Sequence, residues 1–174
     1  TYWKIDQSSE EPTSKDVWVQ EHRAEHLVRL VGAKGIEAPE RVLDIGASAG
    51  ILLEAFKRTY NSDITGVEPG DAYRAYAENK GIRMFDSIEG LIAAHPEKFD
   101  LVSMVHVLEH LPDPVGTLRE IRKELLAKDG VLLLEVPNYY VHDSYELAHL
   151  ACYTPHTLAE VVKQAGFELI SLHG

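Results

Sequence analysis

Residues 41–53 read RVLDIGASAGILL, and their reading decides the fold. Val42, Leu43 and Ile45 form a short apolar run bounded by turn formers, as a buried parallel strand does. Gly46, Ala47, Ser48, Ala49 and Gly50 follow as a loop of small residues. Apolar side chains then return at helical spacing over Ile51–Tyr60, with Leu52, Leu53, Ala55 and Phe56 available for a core face. A strand, a tight turn and a helix start make the first half of a nucleotide-binding βαβ unit. Its glycines let the backbone approach a ligand, and N–H groups at the helix start point at that ligand.

The loop does not fit the dinucleotide pattern G-x-G-x-x-G, because only Gly46 and Gly50 are glycine. Asp44 also stands two residues before the first glycine. A carboxylate there repels a pyrophosphate and favours a ligand that carries an ammonium and a sulfonium. The stretch Leu43-Asp44-Ile45-Gly46-Ala47-Ser48-Ala49-Gly50 resembles the D-x-G-x-G-x-G motif of class I S-adenosylmethionine-dependent methyltransferases, with Ser48 in place of the middle glycine. The resemblance implies S-adenosylmethionine as cofactor, held by Asp44, Gly46, Ala47, Ser48 and Gly50. The implied fold is α/β, a doubly wound and mostly parallel sheet with helices on both faces.

The chain downstream keeps this order. DITGV, residues 63–67, reads as a second strand with Glu68 at its carboxyl end and a Pro69-Gly70 turn. An acid roughly 20 residues past the glycine loop is where a ribose diol is held in such folds; the alternative is a solvated turn residue. Residues 71–79 read as a helix and 82–85 as a third strand, followed by Asp86 and Ser87. In the resembled family an acid here takes the adenine amino group; Asp86 also suits a cap for a helix over 87–94. Residues 99–105 (FDLVSMV) are the fourth, central strand, and it runs into HVLEHLPDP at 106–114. That loop resembles the family's next signature, which implies that His106 and Val107 face the methionine part of the cofactor. A helix over 115–126, a turn at 127–130 and a fifth strand over 131–136 ending in Pro137-Asn138 follow. Residues 153–158 open a further helix, and 167–172 (FELISL) read as a sixth strand. A seventh, antiparallel strand is expected by resemblance after Gly174, and its absence reads as truncation.

Residues 1–12 read as a polar arm and residues 16–31 as an amphipathic helix. The resemblance implies a division into residues 1–38, an arm and helix covering the cofactor site, and 39–174, the methyltransferase domain. A helix packed on the sheet edge is the alternative for the first part.

Composition narrows the partners. The 174 residues carry a net charge of −11 with 45% apolar and 26% charged residues, which suits one globular domain. That charge argues against nucleic acid, whose phosphates need clustered Lys and Arg, and favours a small-molecule methyl acceptor. No apolar run reaches membrane-spanning length, so no membrane is expected, and the single cysteine, Cys152, fits a reducing, cytoplasmic setting. The chain begins at Thr1 rather than Met, which reads as a fragment. Oligomeric state is not legible.

Nine histidines are present. His106, Glu109 and His110 share a face if their segment is a helical turn, and His149 comes later in an aromatic and polar stretch with Tyr139, His142 and Tyr145. Some quinone-pathway and RNA-end methyltransferases have a similar Glu-x-x-Glu-His plus distant His set that holds a divalent metal; here His106 replaces the first Glu. Three readings stay open: a metal site, side chains bonded to loop backbone, and acid/base work without a metal. The expectation adopted is no metal, with His149 as general base and His110 as the runner-up. The implied function is methyl transfer to an O, N or C acceptor by in-line displacement. The rivals are an NAD-type Rossmann oxidoreductase and a non-catalytic methyltransferase-like binding subunit.

Overall fold

The protein is described by a computed structural model that covers residues 14–36, 38–94, 97–141 and 148–173. The polar arm at 1–12, together with His142 and Tyr145, lies outside the described residues.

Five parallel strands form one sheet: β1 Arg41–Ile45, β2 Asp63–Val67, β3 Arg83–Phe85, β4 Phe99–Val105 and β5 Leu126–Glu135. Their order across the sheet is β3-β2-β1-β4-β5. The order reverses between β1 and β4, so a crevice opens at the carboxyl ends of those two strands. Alternation along the strands feeds two cores. Val42, Leu101 and Leu53 pack on one face with α1 (Ser14–Ala33), α2 (Ile51–Tyr60) and α3 (Asp71–Asn79). Leu43, Ile45, Val102 and Met104 pack on the other with α4 (Ile88–Ala94), α5 (Pro114–Glu120) and α6 (Pro155–Gln164). This is the doubly wound sandwich expected from the sequence.

Helix ends follow from local chemistry. Gly50 enters α2 with φ 75 and Asn61 leaves it with φ 58, both left-handed. Asp113 caps α5 by accepting from the Gly116 N–H at 2.9 Å, with Pro114 as the first helical residue. The last turn of α5 widens to a π turn, Ile121–Leu125, and runs straight into β5. The expected turn at 127–130 is an irregularity inside β5: Leu126 pairs with Phe99 and Val131 with Leu101, so the residues between them bulge out.

The sixth strand is a correction. Residues 167–173 carry no strand, and Leu169, Ile170 and Leu172 are exposed. An apolar run becomes a strand only against a partner edge, and among the described residues this run has no ladder.

Candidate cofactor and acceptor site

The glycine loop is built by β1, β2 and the strain it holds. Gly46, Ser48 and Gly50 all have positive φ, at 79, 49 and 75. A Cβ on Gly46 would stand 2.4 Å from Val107 Cγ2, and one on Gly50 2.4 Å from Ile82 Cδ1. The left-handed φ favours glycine at both positions, and a Cβ at either would have to displace a side-chain methyl. The Gly46 and Ala47 N–H groups donate to the Val67 carbonyl at 2.8 and 3.0 Å, and Gly50 donates to Ala47. These three groups close the loop on itself and on β2; the helix-start N–H groups that the sequence analysis points at a ligand begin after them, at Ile51.

Two carboxylates sit beneath this loop. Asp44 is 3% exposed, and its Oδ1 accepts from the Ser103 hydroxyl at 2.7 Å. Burial pushes its carboxyl up to about 7; the Ser103 bond pulls it down and neighbouring Glu68 pushes it further up. Glu68 is 1% exposed. Its Oε2 accepts from the Ser48 N–H at 2.8 Å and its Oε1 from the Gly70 N–H at 2.7 Å. Burial raises Glu68 above the ordinary carboxylate range, against the Gly70 and Ser48 N–H groups and Arg74, which pull it down. A solvated turn residue is thus the wrong description of Glu68: it ties the glycine loop to the β2 turn. Pro69 stands half-buried in that turn, and its carbonyl accepts from Arg74.

Asp86 is exposed at the end of β3 and accepts from the Ser87 hydroxyl at 2.9 Å. Ser87, not Asp86, caps the next helix, because its Oγ accepts from the Gly90 N–H at 3.2 Å. The helix accordingly starts at Ile88, one residue later than expected.

The loop after β4 borders the glycine loop through Val107, which is buried against Gly46. His106 has φ 54, a left-handed conformation uncommon for a non-glycine residue. Its Nδ1 lies 3.3 Å from Glu109 Oε1 and its Nε2 3.2 Å from Glu135 Oε1. Glu109 and Glu135 push the imidazole up to about 9, against burial and Arg23. Glu135 also meets Arg23 Nε of α1 at 3.1 Å. Burial would raise Glu135, but His106 and Arg23 outweigh it and hold the group below its ordinary value. Farther along α1, Gln20 donates to Ser48 Oγ at 3.3 Å. One helix therefore touches both the glycine loop and the end of β5.

The turn Leu108–His110 is a 3-10 turn. The Glu109 carbonyl accepts from the Leu150 and Ala151 N–H groups at 2.8 and 3.1 Å. His110 Nδ1 lies 3.0 Å from the Ala148 carbonyl, so Nδ1 carries the hydrogen and Nε2 the lone pair in the neutral ring. These bonds pin the His149 loop against the β4 loop, and the His110 and His149 rings meet edge to face at 4.8 Å. Glu109, His110 and His149 each bring one ligand-type atom within 4.8 Å of the others. The Glu109 side chain is 1% exposed, and neither of its oxygens makes a hydrogen bond among the described residues. His106 is not a member of this trio; its two ring nitrogens are taken up by Glu109 and Glu135. His149 does not cap α6, since Thr154 and Thr157 form a reciprocal capping box there.

A cavity of about 340 Å³ opens here, lined by His106, Glu109, His110, Pro137, Asn138, Val141 and His149. Sequence reasoning missed Ser103, Glu135, Arg23 and Gln20. Ser103 and Glu135 each interrupt an apolar strand, which was the available signal; the two helix residues carried none.

Comparison with known proteins agrees with this geometry. The family described as "Methyltransferase domain" matches residues 18–172. A ubiquinone biosynthesis O-methyltransferase of Actinobacillus pleuropneumoniae serotype 7 is 36% identical over 110 residues, 57% of this chain and 46% of that protein. The chain thus spans about half the length of that relative. Among solved structures, a SAM dependent methyltransferase from Archaeoglobus fulgidus superposes with TM-score 0.66 at 22% identity, over 85% of this chain and 69% of that one. The plantazolicin methyltransferase BpumL, in complex with a monoazolic desmethylPZN analog and SAH, superposes with TM-score 0.63 at 15% identity, over 87% and 69%. These two likenesses bear on the fold, and the family match bears on descent. The chain belongs to the methyltransferase domain family, that of the S-adenosylmethionine-dependent enzymes.

Proposed function

We propose that the protein transfers a methyl group from S-adenosylmethionine to a hydroxyl oxygen of a small acceptor docked in the cavity beside His149. The observation that carries this reading is that the cavity opens from the same β4 loop that packs on the glycine loop, through Val107 against Gly46. Bound S-adenosylmethionine would supply an electrophilic methyl on a sulfonium. Asp44, Gly46, Ala47, Ser48 and Gly50 would hold its amino-acid end and His106 and Val107 its methionine carbon chain. Glu68 and Pro69 would border the ribose, because each Glu68 oxygen keeps a lone pair beyond its one backbone N–H. Asp86 and Ser87 would meet the adenine; Asp86 is exposed and relieved of the capping role. The site fits such a cationic group, since two buried carboxylates, Asp44 and Glu68, lie beneath the loop. The remaining work is positioning and removal of one proton from the acceptor.

For that proton His149 is the proposed base. It lines the cavity and leaves the helix cap to Thr154. His110, with its hydrogen fixed on Nδ1, is the second candidate and offers Nε2. A metal reading is favoured by one specific observation: the buried Glu109 carboxylate, which faces His106 Nδ1 at 3.3 Å but has no partner of hydrogen-bond geometry among the described residues, lies beside His110 and His149. Glu109, His110 and His149 would then hold a divalent cation through a mixed N and O donor set, and it would lower the pKa of a bound acceptor hydroxyl.

The acceptor is read as small and partly apolar. Val141, at the cavity, is 79% exposed, and Tyr139, Tyr140 and Leu150 beside the lining residues are exposed too. The charge of −11 disfavours nucleic acid. No helix among the described residues is long and apolar enough to cross a membrane, and the single cysteine supports a cytoplasmic setting. We also assign α1 to covering the cofactor site, supported by Gln20 on Ser48 and Arg23 on Glu135. The test is thermal unfolding with ligand. S-adenosylmethionine at a hundred times its Kd should stabilise by about 2.7 kcal/mol, roughly 5–10 °C at this chain length. Stabilisation by NADH and not by S-adenosylmethionine would overturn the reading.

A further inference from the structure

Asp44 is unusual for a residue that meets a cationic ligand, because nothing cationic balances it. It lies in β1 between β2 and β4, opposite Gly66 on one side and Ser103 on the other. Gly66 offers no side chain, and Ser103 offers a neutral hydroxyl. Glu68, at the end of β2, is the charged group that acts on Asp44, and it repels. The nearby cations are engaged elsewhere: Arg74 of α3 faces Glu68 and its carbonyl, Arg23 of α1 faces Glu135, and the His106 imidazolium after β4 faces Glu109 and Glu135. Gln20 of α1 reaches Ser48 and is neutral. A fully buried carboxylate with one neutral donor and a like-charged neighbour favours its neutral form.

Ser103 is placed to serve either form. Its Oγ lies 2.7 Å from Asp44 Oδ1 and 3.3 Å from the Leu43 carbonyl oxygen, and one hydroxyl has one hydrogen to give. With Asp44 ionised, the hydrogen goes to Oδ1. With Asp44 protonated, Asp44 donates to Ser103 Oγ and Ser103 turns its hydrogen to the Leu43 carbonyl. No buried donor is left unpaired in either arrangement.

We propose that Asp44 is the charge sensor of the cofactor site and Ser103 its positioning residue, so that Asp44 holds a proton in the free protein and releases it to solvent when the ammonium of the ligand's amino-acid end docks. The O–H bond of Asp44 breaks, the proton passes to buffer, and the Ser103 hydroxyl swings from Leu43 to Asp44. The inference rests on the cofactor reading above, which puts that end of the ligand at Asp44, and extends it: binding is linked to the loss of a proton. S-adenosylmethionine and S-adenosylhomocysteine both carry the ammonium, so both show the linkage.

The test is titration calorimetry of the whole chain in buffers of different ionisation enthalpy, at pH 6.5 and pH 8.5, with both nucleosides. A carboxyl titrating at about 7 is roughly three-quarters protonated at pH 6.5 and almost bare at pH 8.5. Both nucleosides should therefore release part of a proton at pH 6.5, where their own α-ammonium is still charged, and that release should vanish at pH 8.5. Asp44→Asn should abolish the buffer dependence at pH 6.5. Ser103→Ala should move the release profile to higher pH, since donation from Ser103 holds the carboxyl down. Ser103→Cys, nearly isosteric with a weak donor, serves if the alanine variant does not fold, and should shift the profile the same way. Equal heats in all buffers at pH 6.5 for the native chain, or a buffer dependence at pH 6.5 that survives Asp44→Asn, would overturn the sensor. An unmoved profile in the Ser103 variants would overturn its positioning role. Binding of both nucleosides without proton release sinks this inference alone, whereas binding of neither sinks the cofactor reading with it.

Discussion

Replacing Glu68 by alanine tests the cofactor site at its most connected residue. The carboxylate holds the Ser48 N–H at 2.8 Å and the Gly70 N–H at 2.7 Å while 1% exposed. Each bond to a charged acceptor is worth about 1.5–3 kcal/mol. Burial works the other way, and it outweighs every other influence on this group. Alanine, however, leaves the Ser48 and Gly70 N–H groups without this partner, at about 1–3 kcal/mol for each buried donor left unsatisfied, so the net loss should be about 2 kcal/mol. For a domain of this size that corresponds to a fall in Tm of roughly 4–8 °C. The assay is circular dichroism melting without ligand at pH 7.5, with Glu68→Gln as comparator. The amide keeps one acceptor oxygen and turns an NH2 against the other N–H, so it should fall between native and alanine. A Glu68→Ala chain that melts within 1 °C of native would refute the reasoning, because the loop bonds would then carry no stability. The same variant reports on binding. The lone pairs left over are those offered to the ribose, so affinity for S-adenosylmethionine should weaken roughly tenfold to a hundredfold. Unchanged affinity in calorimetry would mean that the ribose sits elsewhere.

Gly46→Ala drives a Cβ into Val107 at a left-handed φ and should cost about 1–3 kcal/mol; the Gly46→Ala, Val107→Ala double variant should recover part of the loss in a denaturant series, and full additivity would deny the contact. Asp44→Asn should flatten the pH dependence of stability. The folded carboxyl titrates at about 7 and the unfolded one near 3.9, so the native state binds the extra proton between them. The stability this proton supplies is present below the unfolded value and is lost as pH rises through the folded value. Tm measured from pH 5 to 8.5 should decline with pH more steeply for the native chain than for Asp44→Asn. Dialysis against a chelator decides between base and metal: activity that survives it and falls with His149→Ala supports the base, whereas loss restored by a divalent ion, together with a Tm that responds to that ion in the native chain and not in Glu109→Gln, supports the trio as ligands.

Much of the fold was legible because its signals are local. The boundaries of Ile51–Tyr60, Asp63–Val67, Asp71–Asn79 and Phe99–Val105 follow directly from apolar runs broken by Gly, Pro, Asn and Asp. The misreadings came where tertiary context decides. Residues 167–172 look like a strand, but strand formation is a property of two edges and not of one run. The turn at 127–130 became a bulge because Leu126 found Phe99 as partner before it and Val131 found Leu101 after it. At the site, glycine spacing and the two acids were readable. What the loop N–H groups and carboxylates bond to was not, since those partners come from β2, β4 and α1, far apart in sequence.

His106 shows how a single exchange can redistribute a site without dismantling it. A glutamate at this place would put three carboxylates together, with Glu109 and Glu135, and Arg23 would face them alone. The imidazole instead stands between two carboxylates at 3.3 and 3.2 Å and is held protonated by them, with a pKa pushed up to about 9. Two negative and two positive groups then balance at the ends of β4 and β5, and the balance extends to α1 through Arg23. The positive charge serves as a counter-ion, and a protonated imidazole has no lone pair to offer. The chemistry of the cavity therefore narrows to Glu109, His110 and His149, which the backbone bonds of Leu150, Ala151 and Ala148 bring together. The strained φ of 54 at His106 lets its ring reach Glu135 while the next residue, Val107, seals the glycine loop. That one residue joins the charge balance at the ends of β4 and β5 to the packing of the glycine loop.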